Sequence, residues 1–258
     1  MRLALASLNL RLNLDRWAER RGLIVAELLA LQPDLISLQE VHRPSRQALW
    51  LQGQINGRLE AAQGGRPYQL AQARKRHLIN GYHEGVAILS RLPILSHDAY
   101  GLGYGGRVAL RANVALTPRD TFDFVAVHLH HPRAEQEARL EQVMALAGWL
   151  NRHNAADLQA VAGDFNETPA GPAIAYMKQM YRSAFELAWG HEPLATFPTA
   201  LAERPDDWAG TLDYIFLSPA AARVGSVQII CRRPAAGDPT LYPSDHVGLM
   251  AVLDLGLD

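Results

Sequence analysis

Six residues carry side chains suited to an oxyanion displacement and fall near the ends of short apolar runs: Glu40, Asp164, Asn166, Asp213, Asp245 and His246. Phosphate esters resist hydrolysis because their own oxygens repel a nucleophile. A hard divalent cation relieves that repulsion and prefers carboxylate oxygen. Glu40 and Asp245 suit this role, with Asn9 as a neutral ligand or supporting partner. Asp164 can orient a water and take its proton, with Asn166 two residues away to hold it. His246 can donate to the developing oxyanion, and a carboxylate such as Asp213 would fix its ring. Taken singly, each residue is more often a cap, turn or surface residue than a functional one. Their recurrence at run ends favours chemistry.

Rigid elements must hold these groups. Arg2 to Leu10 reads as a strand ending near Asn9. Asp15 is the expected cap of a helix through about Leu31, with Trp17, Leu23, Ile24, Leu28 and Leu31 as its apolar stripe and Pro33 beyond its end. Leu35 to Leu38 is a buried strand delivering Gln39-Glu40. Ser45 is the expected cap of a helix to about Ala62. Further strands are expected at 67–72, 85–90, 107–116 and 122–128, a helix over Ala134–Arg152, and strands at Leu158–Ala162, Thr211–Leu217 and Val247–Leu253. Helices alternating with strands indicate an α/β fold, and the hairpin-like run over 85–128 makes its sheets mixed. No linker or repeat divides the chain, so one domain over 1–258 is expected. The longest irregular stretches are 73–84, 190–210 and 232–244.

The chain has 258 residues, 48% of them hydrophobic, enough for a sizeable core. Its 25 Lys+Arg against 26 Asp+Glu argue against coating nucleic acid by bulk charge and leave room for a local basic groove. Cys231, the only cysteine, excludes an internal disulfide and a cysteine-rich zinc site. No apolar run approaches the roughly 20 residues of a membrane span. The N-terminal apolar run, interrupted at Ser7 and stopped at Asn9, is expected to be a strand in a cytoplasmic protein, not a signal peptide.

Several strings resemble the endonuclease/exonuclease/phosphatase superfamily. Gly163-Asp164-Phe165-Asn166 resembles its GDFN motif, Ser244-Asp245-His246 its terminal SDH motif, Gln39-Glu40 its metal-binding QE motif, and Ser7-Leu8-Asn9 its first-strand asparagine. Gly85 to Arg91, Val127-His128-Leu129, Arg139 with Gln142, and Leu212 to Phe216 match further strings in family order. The resemblance implies a DNase I-like four-layer α/β sandwich, two packed mixed sheets flanked by helices. It also implies a Mg²⁺- or Mn²⁺-dependent phosphoesterase. By the same resemblance, Glu40 binds metal with Asn9 and Asp245, Asp164 activates water beside Asn166, and His246, oriented by Asp213, contacts the phosphate together with His128. A phosphodiesterase with nuclease-like activity, acting on a phosphate-ester substrate such as nucleic acid, is the leading expectation. Phospholipid or inositol-phosphate hydrolysis is the alternative, and a non-catalytic binding module is the reading of a different class. Where many members carry Arg before the Leu212 strand, this chain has Thr211, so that contact is absent or comes from another arginine.

Four other features are open. His128 and His130 would share a strand face, which suits a transition metal; the family match supports only His128, and His130 and His131 are expected at the pocket rim. Arg74-Lys75-Arg76-His77 is either a phosphate grip or a solvated loop. Gly101 to Gly106 lacks a following helix and is expected to connect strands. Trp189, Phe197 and Trp208 either anchor the 190–210 loop or stack on a substrate.

Overall fold

In the computed structural model, residues 1–77, 83–152, 156–202 and 209–257 are described. Among them lie strands β1 (Arg2–Asn9), β2 (Leu35–His42), β3 (Gln69–Arg74), β4 (Glu84–Ser90), β5 (Ile94–Gly101), β6 (Val108–Ala115), β7 (Thr121–His128), β8 (Gln159–Asp164), β9 (Arg182–Ser183), β10 (Asp213–Leu217), β11 (Val224–Ile230) and β12 (Gly248–Asp254). The helices are α1 (Trp17–Leu31), α2 (Gln47–Ala61), α3 (Gln136–Arg152), α4 (Pro172–Met180) and α5 (Ala184–Trp189).

Side chains alternate across a strand with period two, and that parity decides where each residue goes. In β1, Leu3 and Leu5 join one apolar cluster, while Ala6 and Leu8 join another. The first cluster also takes Ile88 of β4, Leu110 of β6, Phe122 and Phe124 of β7, Ala162 of β8 and Ile215 of β10. It is the core between two sheets. The second packs the outer face of one sheet against Ile24 and Leu28 of α1 and Leu51 and Ile55 of α2. A third packs Val125, Val161 and Phe216 against Val143 and Leu146 of α3 and Ile174 of α4. The result is four layers: helices, sheet, sheet, helices.

The sheets have strand orders β11-β12-β1-β2-β4-β3 and β5-β6-β7-β8-β10-β9. β1 runs parallel to β2, and β7 parallel to β8; β12, β4 and β10 run antiparallel to β1, β2 and β8. The ends of β1, β2, β7 and β8 therefore meet the starts of β4, β10 and β12 at one end of the sandwich. His128 and Asp213 both pair with Asp164 in register.

Two expected helix caps differ. α1 begins after Arg16, which is left-handed at φ 61° and gives no side-chain cap; the Asp15 carboxylate instead accepts from Arg11 Nε at 2.8 Å. α2 begins after Arg46, because the Ser45 hydroxyl lies 2.8 Å from His42 Nδ1. The strand expected at 67–72 continues to Arg74, inside a stretch expected to be irregular. Gly101 to Gly106 does connect strands, β5 to β6, and includes one 3₁₀ turn.

Candidate active site

The same parity that builds the core aims the polar residues. Asn9 shares the inner face with Leu3 and Leu5, His128 with Phe122 and Phe124, Asp164 with Ala160 and Ala162, Asp213 with Ile215 and Leu217, and Glu84 with Val86 and Ile88. Each strand is apolar along its buried length and polar at the shared end. Glu40 has the wrong parity for this face. A register irregularity in the β2–β4 pairing between Leu38 and Val41, with Glu40 at φ 48°, breaks the alternation there, and Glu40 lines the same pocket.

That pocket holds about 330 Å³ and is lined by Glu40, His128, Asp164, Asn166, Asp245 and His246, together with Arg11, Lys75, Glu84, Arg107 and Phe197. Asn9 and Asp213 stand directly behind this wall. All eight sequence-predicted residues are thus gathered at one end of the sandwich.

Asp164 is the hub. Its Oδ1 accepts from the Asn166 backbone N–H at 2.8 Å. Its Oδ2 accepts from Asn9 Nδ2 at 2.9 Å and faces His128 Nε2 at 3.5 Å and His246 Nε2 at 3.9 Å. Burial raises the Asp164 carboxyl above its ordinary value, against the attraction of His246. The Asn166 side chain donates to Leu129 O at 3.1 Å, tying the loop after β8 to the end of β7. A Cβ at Gly163 would run into the Val127 carbonyl oxygen, so the close β7–β8 approach requires glycine there.

Asn9 bridges the two halves of the site. Its Oδ1 accepts from the Arg11 N–H at 2.9 Å, and this fixes the amide so that Nδ2 donates to Asp164 and, at 3.3 Å, to Glu40 Oε1. In this geometry the Asn9 oxygen faces away from Glu40, unlike the expected ligand; direct coordination by Asn9 would need the amide to turn over. Burial, with Asp245 and Glu84 adding to it, pushes the Glu40 carboxyl up to about 7. Arg11 Nε meets Asp245 Oδ2 at 3.2 Å and partly offsets this negative charge.

His246 Nδ1 lies 2.8 Å from Asp213 Oδ2, and the Phe197 ring sits 4.7 Å from the imidazole, centre to centre. Burial opposes a charge on His246. Asp213, with Asp164 and Asp245 behind it, outweighs burial and raises the imidazole to about 10. The Thr196 hydroxyl accepts from the backbone N–H of both Leu212 and Asp213, fixing the start of β10. Among the described residues, the one group of three metal-ligand side chains within 4.8 Å is Asp164, Asp213 and His246. The 2.8 Å bond between Asp213 and His246 accounts for one side of that triangle, and Asp164 Oδ2 stands 3.9 Å from His246 Nε2.

Sequence reasoning missed Glu84, Arg107 and Arg11. Arg107 Nη1 lies 2.5 Å from Glu84 Oε1 and 2.7 Å from His128 Nδ1, and Lys75 Nζ meets Glu84 Oε2 at 2.9 Å. Guanidinium has no acceptor, so Nδ1 must offer its lone pair and the His128 proton sits on Nε2, toward Asp164. Burial, then Arg107, also push His128 below its ordinary value. Burial would raise Glu84, but the adjoining charges of Arg107 and Lys75 hold it well below the usual carboxylate range. The sequence signals for this cluster were Lys75 in the basic stretch 74–77 and the place of Glu84 and Arg107 at or just before the starts of strands.

Of the features left open, His131 lines the pocket, and His130 bonds Glu135 at 2.8 Å. Buried Arg139 pairs with Glu167 at 3.0 Å and donates to the carbonyls of His130, Pro132 and Arg133, holding that rim in place. Thr211 is buried with its hydroxyl on Pro193 O, so arginines at the pocket come from positions 11 and 107 instead. Phe197 lines the pocket, Trp189 lines a separate cavity, and Trp208 lies outside the described residues. No described helix is long and apolar enough to cross a membrane.

An endonuclease/exonuclease/phosphatase from Bacteroides vulgatus superposes with a TM-score of 0.76 at 19% identity, covering 99% of both chains. Truncated Caenorhabditis elegans TDP2 gives 0.73 at 17%, covering 98% of this chain and 97% of the other. The human Nocturnin catalytic domain, solved with a bound sulfate anion, gives 0.73 at 21%, covering 98% and 94%. These likenesses concern the fold. No curated protein sequence matches the chain. The family model described as Endonuclease/Exonuclease/phosphatase family matches residues 6–246, a span that holds every residue of the pocket, and the chain therefore belongs to that family.

Proposed function

We propose that the protein is a divalent-metal-dependent phosphodiesterase with nuclease-like activity, cleaving its substrate by in-line attack of water. The observation that carries this reading is the convergence on Asp164 Oδ2 of Asn9, His128 and His246 beside the carboxylates Glu40 and Asp245.

The donor set fits a hard cation. Glu40, raised to about 7 by burial and by neighbouring carboxylates, belongs to a cluster short of positive charge. Glu40 and Asp245 would hold Mg²⁺ or Mn²⁺, with Asn9 locking Glu40 to Asp164. When bound, the ion supplies charge neutralisation at the phosphate oxygens. The remaining work falls to the chain. Asp164, held by Asn9 and Asn166, orients a water and accepts its proton. His246, kept protonated by Asp213, donates from Nε2 to a phosphoryl oxygen as charge develops on it. Neutral His128 presents Nε2–H toward the same point, and Phe197 packs against His246.

The test is hydrolysis of bis(p-nitrophenyl) phosphate with Mg²⁺ or Mn²⁺. Release of p-nitrophenol that EDTA abolishes and Asp164→Asn eliminates is the expected result. Absence of hydrolysis with either ion, or turnover insensitive to EDTA, refutes the proposal.

A further inference from the structure

A cavity larger than the pocket at the chemistry lies beside it. It is a cleft of about 720 Å³ between the edge strands of the two sheets, walled by β3 and its continuation on one side and by β5 and β6 on the other. Its lining is basic: Arg74, Lys75, Arg76 and His77 from the first wall, and His97 from the second. Asp98, the one acidic residue in the described lining, is held by Arg111 Nε at 3.0 Å. In a chain of formal charge −1, such a concentration of cations is local.

The cleft joins the active site. Lys75 lines both, and its ammonium bridges to Glu84. Arg74 pairs in register with Gly85, next to Glu84. The Arg76 N–H donates to Gly106 O at 2.6 Å, one residue before Arg107. Arg76 Nη2 then crosses to Ala99 O of β5 at 3.2 Å, so the guanidinium spans the mouth between the two edges. For a substrate whose scissile phosphate sits against His128 and His246, this cleft is a basic path leading away from the pocket through Lys75.

We propose that the cleft between the β3 and β5 edges binds the phosphates flanking the scissile one, and that the substrate is a single-stranded nucleic acid. This rests on the phosphodiesterase reading of the adjoining pocket. Arginine matches phosphate geometry through its planar fork, and basic side chains lining a groove hold one strand without demanding a base sequence. A volume of about 720 Å³ accommodates a short segment of one strand.

The test separates binding from catalysis. Fluorescence anisotropy with a labelled 12-nucleotide single strand, in EDTA, compares the wild type with the double variant Arg74→Gln/Arg76→Gln. A second variant, Arg232→Gln/Arg233→Gln, removes the same charge from an exposed surface elsewhere. We expect the cleft variant to bind about tenfold more weakly. Its log Kd against log salt should be shallower by about 1.4, the loss of two single-strand phosphate contacts. The distant variant should stay within about twofold of wild type. Equal weakening in both variants, or none in the cleft variant, overturns the proposal. So does equal competition by inositol hexakisphosphate, which would mark the cleft as a site for any compact polyanion. Thermal melts confirm that both variants are folded. Loss of bis(p-nitrophenyl) phosphate hydrolysis in the wild type would remove the catalytic reading, while the binding comparison would still decide the cleft.

Discussion

Arg20 is wholly buried, and its guanidinium donates to six carbonyls: Leu10, Arg11, Leu12, Leu14, Asp15 and Pro243. It also lies 5.0 Å from the centre of the Trp17 ring. Four residues of the loop it gathers, Arg11, Leu12, Asp15 and Arg16, are left-handed, a conformation that non-glycine residues adopt at a cost. Arg20→Met keeps most of the stem's volume and removes every donor. Most of those carbonyls sit near the surface and can turn to water. The contacts to Leu10 O and Pro243 O, both 2.9 Å, are fully buried. An unsatisfied buried acceptor costs about 1–3 kcal/mol, so two cost about 4 kcal/mol together. For a chain of this size that is a fall in melting temperature of about 8–16 °C. Turnover should fall with it, since Arg11 would lose its place against Asp245. Thermal and urea unfolding followed by circular dichroism measure the effect, with an unchanged urea slope showing that the shift is one of stability. A fall of less than about 3 °C would show that Arg20 does not hold this loop.

Glu40→Gln should weaken Mg²⁺ or Mn²⁺ binding by at least about tenfold in isothermal titration without lowering the melting temperature, because it removes a crowded carboxylate charge; unchanged affinity would take Glu40 out of the metal site. Asp164→Asn should cut kcat by orders of magnitude with KM nearly constant, as for a group acting in the transition state; a raised KM with intact kcat would make it a binding residue. His246 is raised from 6.5 to about 10, so its contribution to stability is complete below about 6.5 and lost as pH climbs through 10. Asp213→Asn should lower that value in an NMR titration of the metal-free protein and move the alkaline limb of the pH–rate profile down; an unmoved titration would separate the two residues. Cys231 is 1% exposed and burial raises its thiol, so a thiol reagent should label it only after denaturation; rapid labelling of the native protein would contradict the fold around β11.

Much of this architecture is legible in the sequence because parity is a strict rule. A strand such as Leu3, Leu5, Ser7, Asn9 announces both its buried face and its polar end. Glu40 is legible as a residue but not as a geometry, since its aim depends on a pairing irregularity with β4 that no local pattern encodes. Arg107 and Glu84 meet across 23 positions in different sheets, and nothing periodic links them. The caps expected at Asp15 and Ser45 failed because Arg11 and His42 take those side chains. β5 is a half-exposed edge strand without apolar alternation, and α5 has six residues, too few for a helical period to show.

Asn9, Glu40 and Glu84 belong to one sheet, while His128, Asp164 and Asp213 belong to the other. The bonds Asn9–Asp164, His246–Asp213 and Ser37 Oγ–Ala162 O, at 2.8–2.9 Å, cross the seam between them. The thickness of the inner apolar layer therefore acts as a spacer that calibrates the reaction centre. A methylene added at Ile88 or Phe124 would wedge the jaws apart as surely as a change among the polar groups, because close-packed interiors transmit strain and do not absorb it. Turnover should be sensitive to the volume of residues that never meet the substrate, and a pair of compensating size changes across the seam should restore it.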